Sequence, residues 1–334
     1  MLGRADHADE SPGMINNLQA LRALAAIGVV VFHVGLLPAT SLPFTIGAAG
    51  VDLFFVLSGF IIAYSASRDA RQFLARRLIR ILPAYWIATA IAALFVLQAM
   101  SPAETFDWLV QSLFYLPGTG GRPVLIFVAW TLVYELAFYL LYWLALRAGT
   151  HRAPVVAIAM LLVLGLVPVP GQPGPWPLLL EFVLGVCIYL ATDNLSRPVG
   201  KGVGLWVAGA GLLAAPLLAQ LTGYDPDDYQ SVERVLVWGL PATCIVLGAI
   251  LAEREGLAIR NRAILLLGAA SYAIYLLHPV AVGQLLQLPP QSPPTSWLAC
   301  IVATAAIVGV SVLFHRFIEV RMLRWMRQMI SRAN

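Results

Sequence analysis

Apolar stretches long enough to cross a lipid bilayer recur along this chain, near residues 18–37, 46–65, 84–100, 125–146, 154–169, 177–192, 203–222, 233–252, 263–287 and 296–315. About 30 Å of hydrocarbon requires roughly 20 residues of helix, and a helix satisfies its own backbone hydrogen bonds where water is absent. The chain is 60% hydrophobic and 11% charged, with a mean hydropathy of +0.82. A soluble domain has an apolar share nearer one half. The expected fold is an all-α integral membrane protein with about ten transmembrane helices.

Positive charge sets the expected orientation, because Lys and Arg accumulate on the cytoplasmic side. Arg68, Arg71, Arg76, Arg77 and Arg80 crowd one loop, and Arg316, Arg321, Arg324, Arg327 and Arg332 crowd the tail. Between them, Arg147 with Arg152, Arg197 with Lys201, and Arg254 with Arg260 and Arg262 fall in every second loop, while Asp225, Asp227 and Asp228 lie in an opposite one. Both termini are thus expected on the cytoplasmic side of the cell membrane. The net charge of +4 is a topology signal rather than a nucleic-acid footprint, with anionic lipid headgroups as its partners. The leader carries Asp6, Asp9 and Glu10, which does not suit a signal peptide. The expected division is a cytoplasmic segment 1–17, a membrane domain 18–318 and a basic cytoplasmic tail 319–334. Cys187, Cys244 and Cys300 have no metal or redox spacing and read as packing residues.

Charged side chains inside apolar runs carry the functional signal. Arg22 and His33 share the first span, and eleven residues at about 100° each return them to nearly one face, about 16 Å apart along the axis. An arginine there costs at least about 2.5 kcal/mol on insertion scales, so the pair reads as a functional site. Asp52, Glu135 and His278 fall in later spans, at a depth that suggests one polar cavity shared with His33. Each also has a structural reading. Glu135 can pair with an arginine, Asp52 can pin helix packing, and His278, before Pro279, can satisfy carbonyls freed by the proline.

Arg76 and Arg80 are four residues apart, so on a helix their guanidinium groups can converge on a polyanion, with Arg77 flanking them. A basic loop of this kind equally anchors the inner side of a membrane protein. Ser58 and Ser271 both lack the first glycine of a nucleophile elbow, which removes a serine-hydrolase reading. Glu181 reads as a surface or loop carboxylate, and His315 as a boundary residue outside the site.

Five motifs in order resemble the bacterial membrane acyltransferase family 3. They are Arg22-x10-His33, the Gly-Val-Asp-Leu-Phe-Phe-x-Leu-Ser-Gly-Phe run at 50–60, Arg-Arg-x-x-Arg-x-x-Pro-x-Tyr-Trp at 76–86, Trp-Thr-Leu-x-x-Glu at 130–135, and Ser-Tyr-x-x-Tyr-Leu-x-His at 271–278. The resemblance spans roughly residues 14–320. It implies transfer of an acyl group, commonly acetyl, from a coenzyme A thioester to a hydroxyl of an envelope carbohydrate or lipid-linked glycan. It further implies a catalytic role for His33 and activity or donor binding for Arg22, Arg76, Arg77 and Arg80. Many relatives carry an extracytoplasmic esterase-like domain; none is expected here, so acceptor handling is expected from the membrane domain or a separate partner.

The chemistry of the residues fits that implication. A thioester is already activated, so acyl-CoA as co-substrate calls for a base rather than a metal, and the chain has no His-Glu-x-x-His motif. His33 can deprotonate the acceptor hydroxyl or itself take the acyl group. Glu135 or Asp52 is expected to orient it, and Arg22 or backbone donors to stabilise the oxyanion. Ser58, Trp130, Ser271, Tyr275 and His278 are candidate pocket residues. The competing reading is a proton-coupled secondary transporter built on the same buried groups.

Overall fold

The computed structural model describes residues 15–40, 45–114, 123–168, 176–193, 200, 202–222, 231–287 and 293–332. Asp225, Asp227, Asp228, Arg197 and Lys201 lie outside them. The described residues form helices and connecting turns, with no strand among them: α1 (Asn16–Gly35), α2 (Gly50–Arg68), α3 (Phe73–Val96), α4 (Pro102–Phe114), α5 (Trp130–Ala145), α6 (Ala153–Leu166), α7 (Leu179–Asp193), α8 (Val203–Thr222), α9 (Val232–Arg234), α10 (Leu240–Arg254), α11 (Arg262–Ala269), α12 (Ser271–Leu285), α13 (Pro293–Phe314) and α14 (Val320–Arg332). Short 3₁₀ turns lead into α2 and α5, and π turns at Val235–Gly239 and His315–Glu319 join α9 to α10 and α13 to α14.

Seven of these helices or helix runs are long and apolar enough to cross a membrane, which makes the protein multi-pass. Seven or eight of the roughly ten expected spans meet that length and apolarity among the described residues, and two features account for the difference. The segments near 154–169 and 177–192 form helices of only 14 and 15 residues, about 21–23 Å at 1.5 Å per residue, short of the hydrocarbon thickness. The segment 263–287 is not one rod, since α11 and α12 meet at 65° and together make at most an eighth span. The break falls at Gly268-Ala269-Ala270, where backbones crowd. A Cβ on Gly268 would lie 2.0 Å from the Gln19 carbonyl oxygen.

Helix α1 is the hub, packing against α2, α10, α11, α12 and α13. Its first turn is tied down by Glu253 of α10, whose two oxygens accept from the backbone N–H groups of Asn16 (2.9 Å) and Asn17 (2.7 Å). A carboxylate there satisfies orphan donors and complements the helix dipole. Lipid tails provide no hydrophobic drive between helices, so close packing of small residues must do that work. Gly59 of α2 and Gly185 of α7 cross face to face: a Cβ on either would meet partner backbone at 2.3 and 2.1 Å. Around that crossing Phe55, Phe138 and Phe182 stack at 4.5–4.7 Å between ring centroids. The rigid α2–α7 pair thereby fixes the face that α2 turns toward α1, α3 and α5.

Candidate active site

Helices α1, α2, α3, α5 and α12 enclose a cavity of ≈ 130 Å³. Its polar lining is Arg22 from α1, Ser58 from α2, Arg77 and Arg80 from α3, Thr131, Glu135 and Tyr139 from α5, and Ser271, Tyr272 and Tyr275 from α12. Its apolar walls include Val51, Phe54, Leu57, Ile61, Ile81 and Leu132. Register explains the gathering. Residues 51, 54, 58 and 61 repeat at helical spacing on α2, as do 77 and 80–81 on α3 and 131–132, 135 and 139 on α5.

The charges in this cavity are unequally compensated. Arg80 Nη1 lies 3.0 Å from Glu319 Oε1, and the other Glu319 oxygen is 2.7 Å from His315 Nδ1. Arg77 bonds the Ser65 hydroxyl and packs 5.7 Å from the centre of the Phe73 ring. Among the described residues no carboxylate forms an ion pair with Arg22 or Arg77. Glu135 accepts a hydrogen bond from the Tyr139 hydroxyl and faces the same space.

At one end of the cavity Tyr275 donates to the Val128 carbonyl (3.0 Å) and bonds Thr131 (2.8 Å). Its ring sits 5.7 Å from that of His278, which lies 5.0 Å from His33. Phe127 closes the other side of His33 at 5.1 Å. His33 Nδ1 is 2.9 Å from the Val29 carbonyl. A carbonyl only accepts, so Nδ1 carries the proton and Nε2 keeps a free lone pair. His278 follows suit: Nδ1 faces the Ile274 carbonyl at 3.3 Å, while its buried Nε2 has no hydrogen-bond partner among the described residues.

Several expected placements change. Arg76 does not join Arg77 and Arg80 in the cavity lining; it is exposed, and the Asp69 carboxylate, 2.6 Å away, holds its guanidinium over the turn before α3. Asp52 is fully buried away from His33, with its two oxygens 2.8 and 2.7 Å from Arg234 Nε and Nη2. Glu181 is not a surface carboxylate but is fully buried beside that pair. Of the four groups expected in one cavity, His33 and His278 meet each other, Glu135 lines the cavity, and Asp52 joins neither. Glu135 is engaged with Tyr139 rather than His33. Arg22, about 16 Å from His33 along α1, is too far to stabilise an oxyanion there. Trp130 packs 6.0 Å from the Tyr134 ring and is not part of the lining. Sequence reasoning missed Tyr139, Tyr272, Glu319 and Arg234. The signals available were a His-x3-Glu spacing in the last apolar run and an arginine at the start of the run near 233–252.

Comparison with known proteins agrees with this geometry. The family model described as "Acyltransferase domain" matches residues 15–316. The chain is 32% identical to the exopolysaccharide production protein ExoZ of Rhizobium meliloti, over 72% of this chain and 78% of that one. It is 29% identical to the acyltransferase MdmB of Streptomyces mycarofaciens, over 70% and 68% respectively. To the O-acetyltransferase OatA of Staphylococcus aureus it is 23% identical, over 92% of this chain and 57% of that protein. No solved structure matches. A multi-pass helical bundle that gathers the motif residues of all five runs, matched by one family model over nearly its whole length, belongs to the membrane acyltransferase family 3 and is an acyltransferase.

Proposed function

We propose that this acyltransferase moves an acyl group, acetyl in the first instance, from a coenzyme A thioester to a hydroxyl of an envelope carbohydrate or lipid-linked glycan. Its proposed setting is the bacterial cell membrane, with both termini cytoplasmic. The observation that carries the reading is the cavity with three arginines, two of them lacking a carboxylate partner among the described residues. Three guanidinium groups line this cavity against one lining carboxylate, Glu135, an excess of cations that is costly in a membrane interior and that an anionic ligand offsets. The donor set fits this donor: cations at one end for phosphates, and apolar walls beyond them for a pantetheine arm.

Arg22 sits near the start of α1, and Arg77 and Arg80 near the start of α3. All three line one cavity, so they share one side of the membrane. On the proposed orientation that side faces the cytoplasm, where coenzyme A thioesters are made. His33 lies about 16 Å further along α1, behind Tyr275 and His278, toward the side from which an external acceptor would come. Arg76 is proposed only as part of the basic rim.

In the proposed reaction His33 Nε2 takes the proton of the acceptor hydroxyl as its oxygen attacks the thioester carbonyl carbon. The C–S bond breaks, an ester C–O bond forms, and the imidazolium returns its proton to the thiolate. Nε2 of His278, otherwise unpartnered, gives the transient His33 N–H an acceptor. That role replaces the one expected of Glu135 or Asp52. Glu135 instead balances the arginines beside Tyr139.

The carbohydrate acceptor is supported by the likeness to ExoZ, an exopolysaccharide production protein, and to OatA, an O-acetyltransferase. The transporter reading is not favoured, because it gives no reason for the family match. The deciding experiment is mass spectrometry of ester-linked acyl groups on envelope glycans and glycolipids from cells lacking this gene, complemented with wild type or His33→Ala. A defined ester restored by wild type alone is the expected result. Esters unchanged in every strain would overturn it.

A further inference from the structure

The cavity's third arginine differs from the other two. Arg22 and Arg77 reach the cavity without a carboxylate partner, whereas Arg80 is met by Glu319 at 3.0 Å from outside the motif runs. Glu319 is fully buried and belongs to the π turn His315–Glu319, the last irregularity before the basic helix α14. Its second oxygen is held by His315 Nδ1 at 2.7 Å. π turns in otherwise regular helices often mark functional sites, since the extra residue re-aims side chains. Here the turn keeps both His315 and Glu319 buried. Nothing in the acyl-transfer scheme above uses either residue.

A guanidinium presents five N–H donors in a fixed plane. Glu319 approaches Nη1 alone, and the side chain of Arg80, 26% exposed, also lines the cavity. The contact is an ion pair by distance and not a directed hydrogen bond, so the carboxylate draws the Arg80 guanidinium toward α14 while leaving its N–H donors available. On the neighbouring turn Tyr272 donates to the Ile81 carbonyl at 2.8 Å, anchoring α12 to α3 beside the same arginine.

We propose that Glu319, braced by His315, is a positioning residue that holds the Arg80 guanidinium in register for the donor's phosphate groups, so that the C-terminal helix run completes the donor site. The proposal rests on the reading of the cavity as a coenzyme A thioester site. It also assigns a use to a buried carboxylate and a buried histidine that lie beyond or at the edge of residues 15–316 matched by the family model.

The test is equilibrium binding of acetyl-CoA to the full-length protein in lipid nanodiscs, for wild type, Arg80→Ala, Glu319→Ala, Glu319→Gln and the Arg80→Ala/Glu319→Ala double variant. Each of the two alanine variants is expected to weaken binding about tenfold, the scale of one charge-assisted contact to phosphate. The double variant should be no weaker than Arg80→Ala alone, because Glu319 acts through Arg80. Glu319→Gln, which keeps an oxygen facing Arg80, should recover part of the loss. The double variant also removes both charges together, so no unpaired ion remains to unfold it. Multiplicative losses in the double variant, or wild-type affinity in Glu319→Ala beside weakened Arg80→Ala, would overturn the positioning role alone. Undetectable binding by the wild type, or unchanged affinity in Arg80→Ala, would instead overturn the donor reading.

Discussion

Two ionic clusters are buried in this bundle, and they are built to opposite rules. Around Asp52 the charges are closed in. Both carboxylate oxygens meet Arg234, whose Nη2 also donates to the Ala48 carbonyl at 3.2 Å, and Glu181 fills the remaining side with no solvent contact. Around Arg22 and Arg77 the charges are open, facing a cavity with cations in excess. The Asp52–Arg234 pair is hydrogen-bonded at both carboxylate oxygens and ties α2 to α9, although the two buried oxygens of the neighbouring Glu181 have no hydrogen-bond partner among the described residues. Burial of charge within a membrane protein therefore does not by itself mark a reaction site. What distinguishes the second cluster is an excess of cations beside an open volume, the feature on which the proposed donor site rests.

The sharpest separation of the two regions comes from His33, at the far end of the open one. His33→Ala should lower acyl transfer about 10²- to 10⁴-fold, the usual worth of a positioned general base. The thermal unfolding midpoint in detergent should be nearly unchanged, since the ring is half-buried and its one hydrogen bond is to its own helix. Equal losses of activity and of folded protein would move His33 into the structural class.

Next in size is the closed cluster. Arg234→Met leaves two carboxyl groups side by side without a cation, and breaking a buried pair in this way costs about 3–5 kcal/mol. Asp52→Asn should cost less, because Glu181 is placed to take over the guanidinium. Detergent unfolding curves for the two variants provide the check. Donor affinity of whatever folds should match wild type. A catalytic Asp52 would show the reverse pattern, with a stable but inactive Asp52→Asn.

Arg77→Ala provides the counterpart in the open cluster. Here removal of a cation should weaken acetyl-CoA binding about tenfold. The stability change should be small or favourable, because among the described residues the direct partners of this charge are a hydroxyl and a ring rather than a carboxylate. A strong destabilisation without loss of donor affinity would make the open cluster structural as well.

The sequence exposed the two regions unequally. Apolar runs identified nearly every helix, because lipid leaves helices little choice, and five motifs in order identified the family. Runs do not reveal how long each helix is or where it bends. Hence the 14- and 15-residue helices α6 and α7 and the 65° break before α12 were legible only as apolar segments. Local spacing also placed Arg22 and His33 on nearly one face of α1, since one helix fixes that relation, and Arg22 does line the cavity. It could not show that Asp52 meets Arg234 across 182 positions, or that Glu319 reaches Arg80 from the opposite end of the chain. Such pairings depend on how helices pack around the Gly59–Gly185 crossing. Depth in the membrane was a poor substitute: it grouped Asp52 and Glu135 with His33, although rotation about each helix axis sends the three in different directions.

Arg76 illustrates the same lesson on the surface and carries the smallest expected effect. Its guanidinium donates to an Asp69 carboxylate oxygen (2.6 Å) and to the Asp69 carbonyl (2.8 Å), while the other carboxylate oxygen accepts from the Arg71 N–H at 2.9 Å. Together these bonds close the turn in which Gln72 adopts φ 50° before α3. The Arg76 hydrogen bond first, then the Arg71 N–H, hold the Asp69 carboxyl below its ordinary range. A depressed carboxylate stabilises the fold above its unfolded pKa, near 3.9, and that contribution fades as pH falls through the lower, folded value. Both groups are largely exposed, so solvent screening keeps the pair within about 0–1 kcal/mol. Arg76→Ala should therefore lower the unfolding midpoint slightly at neutral pH, with a difference that shrinks in high salt and vanishes in acid. Its acetyl-CoA affinity should stay within about twofold of wild type, set against the tenfold loss expected of Arg77→Ala. A tenfold loss at position 76 as well would extend the donor site from the cavity onto the rim and return Arg76 to the cluster that helical spacing first suggested.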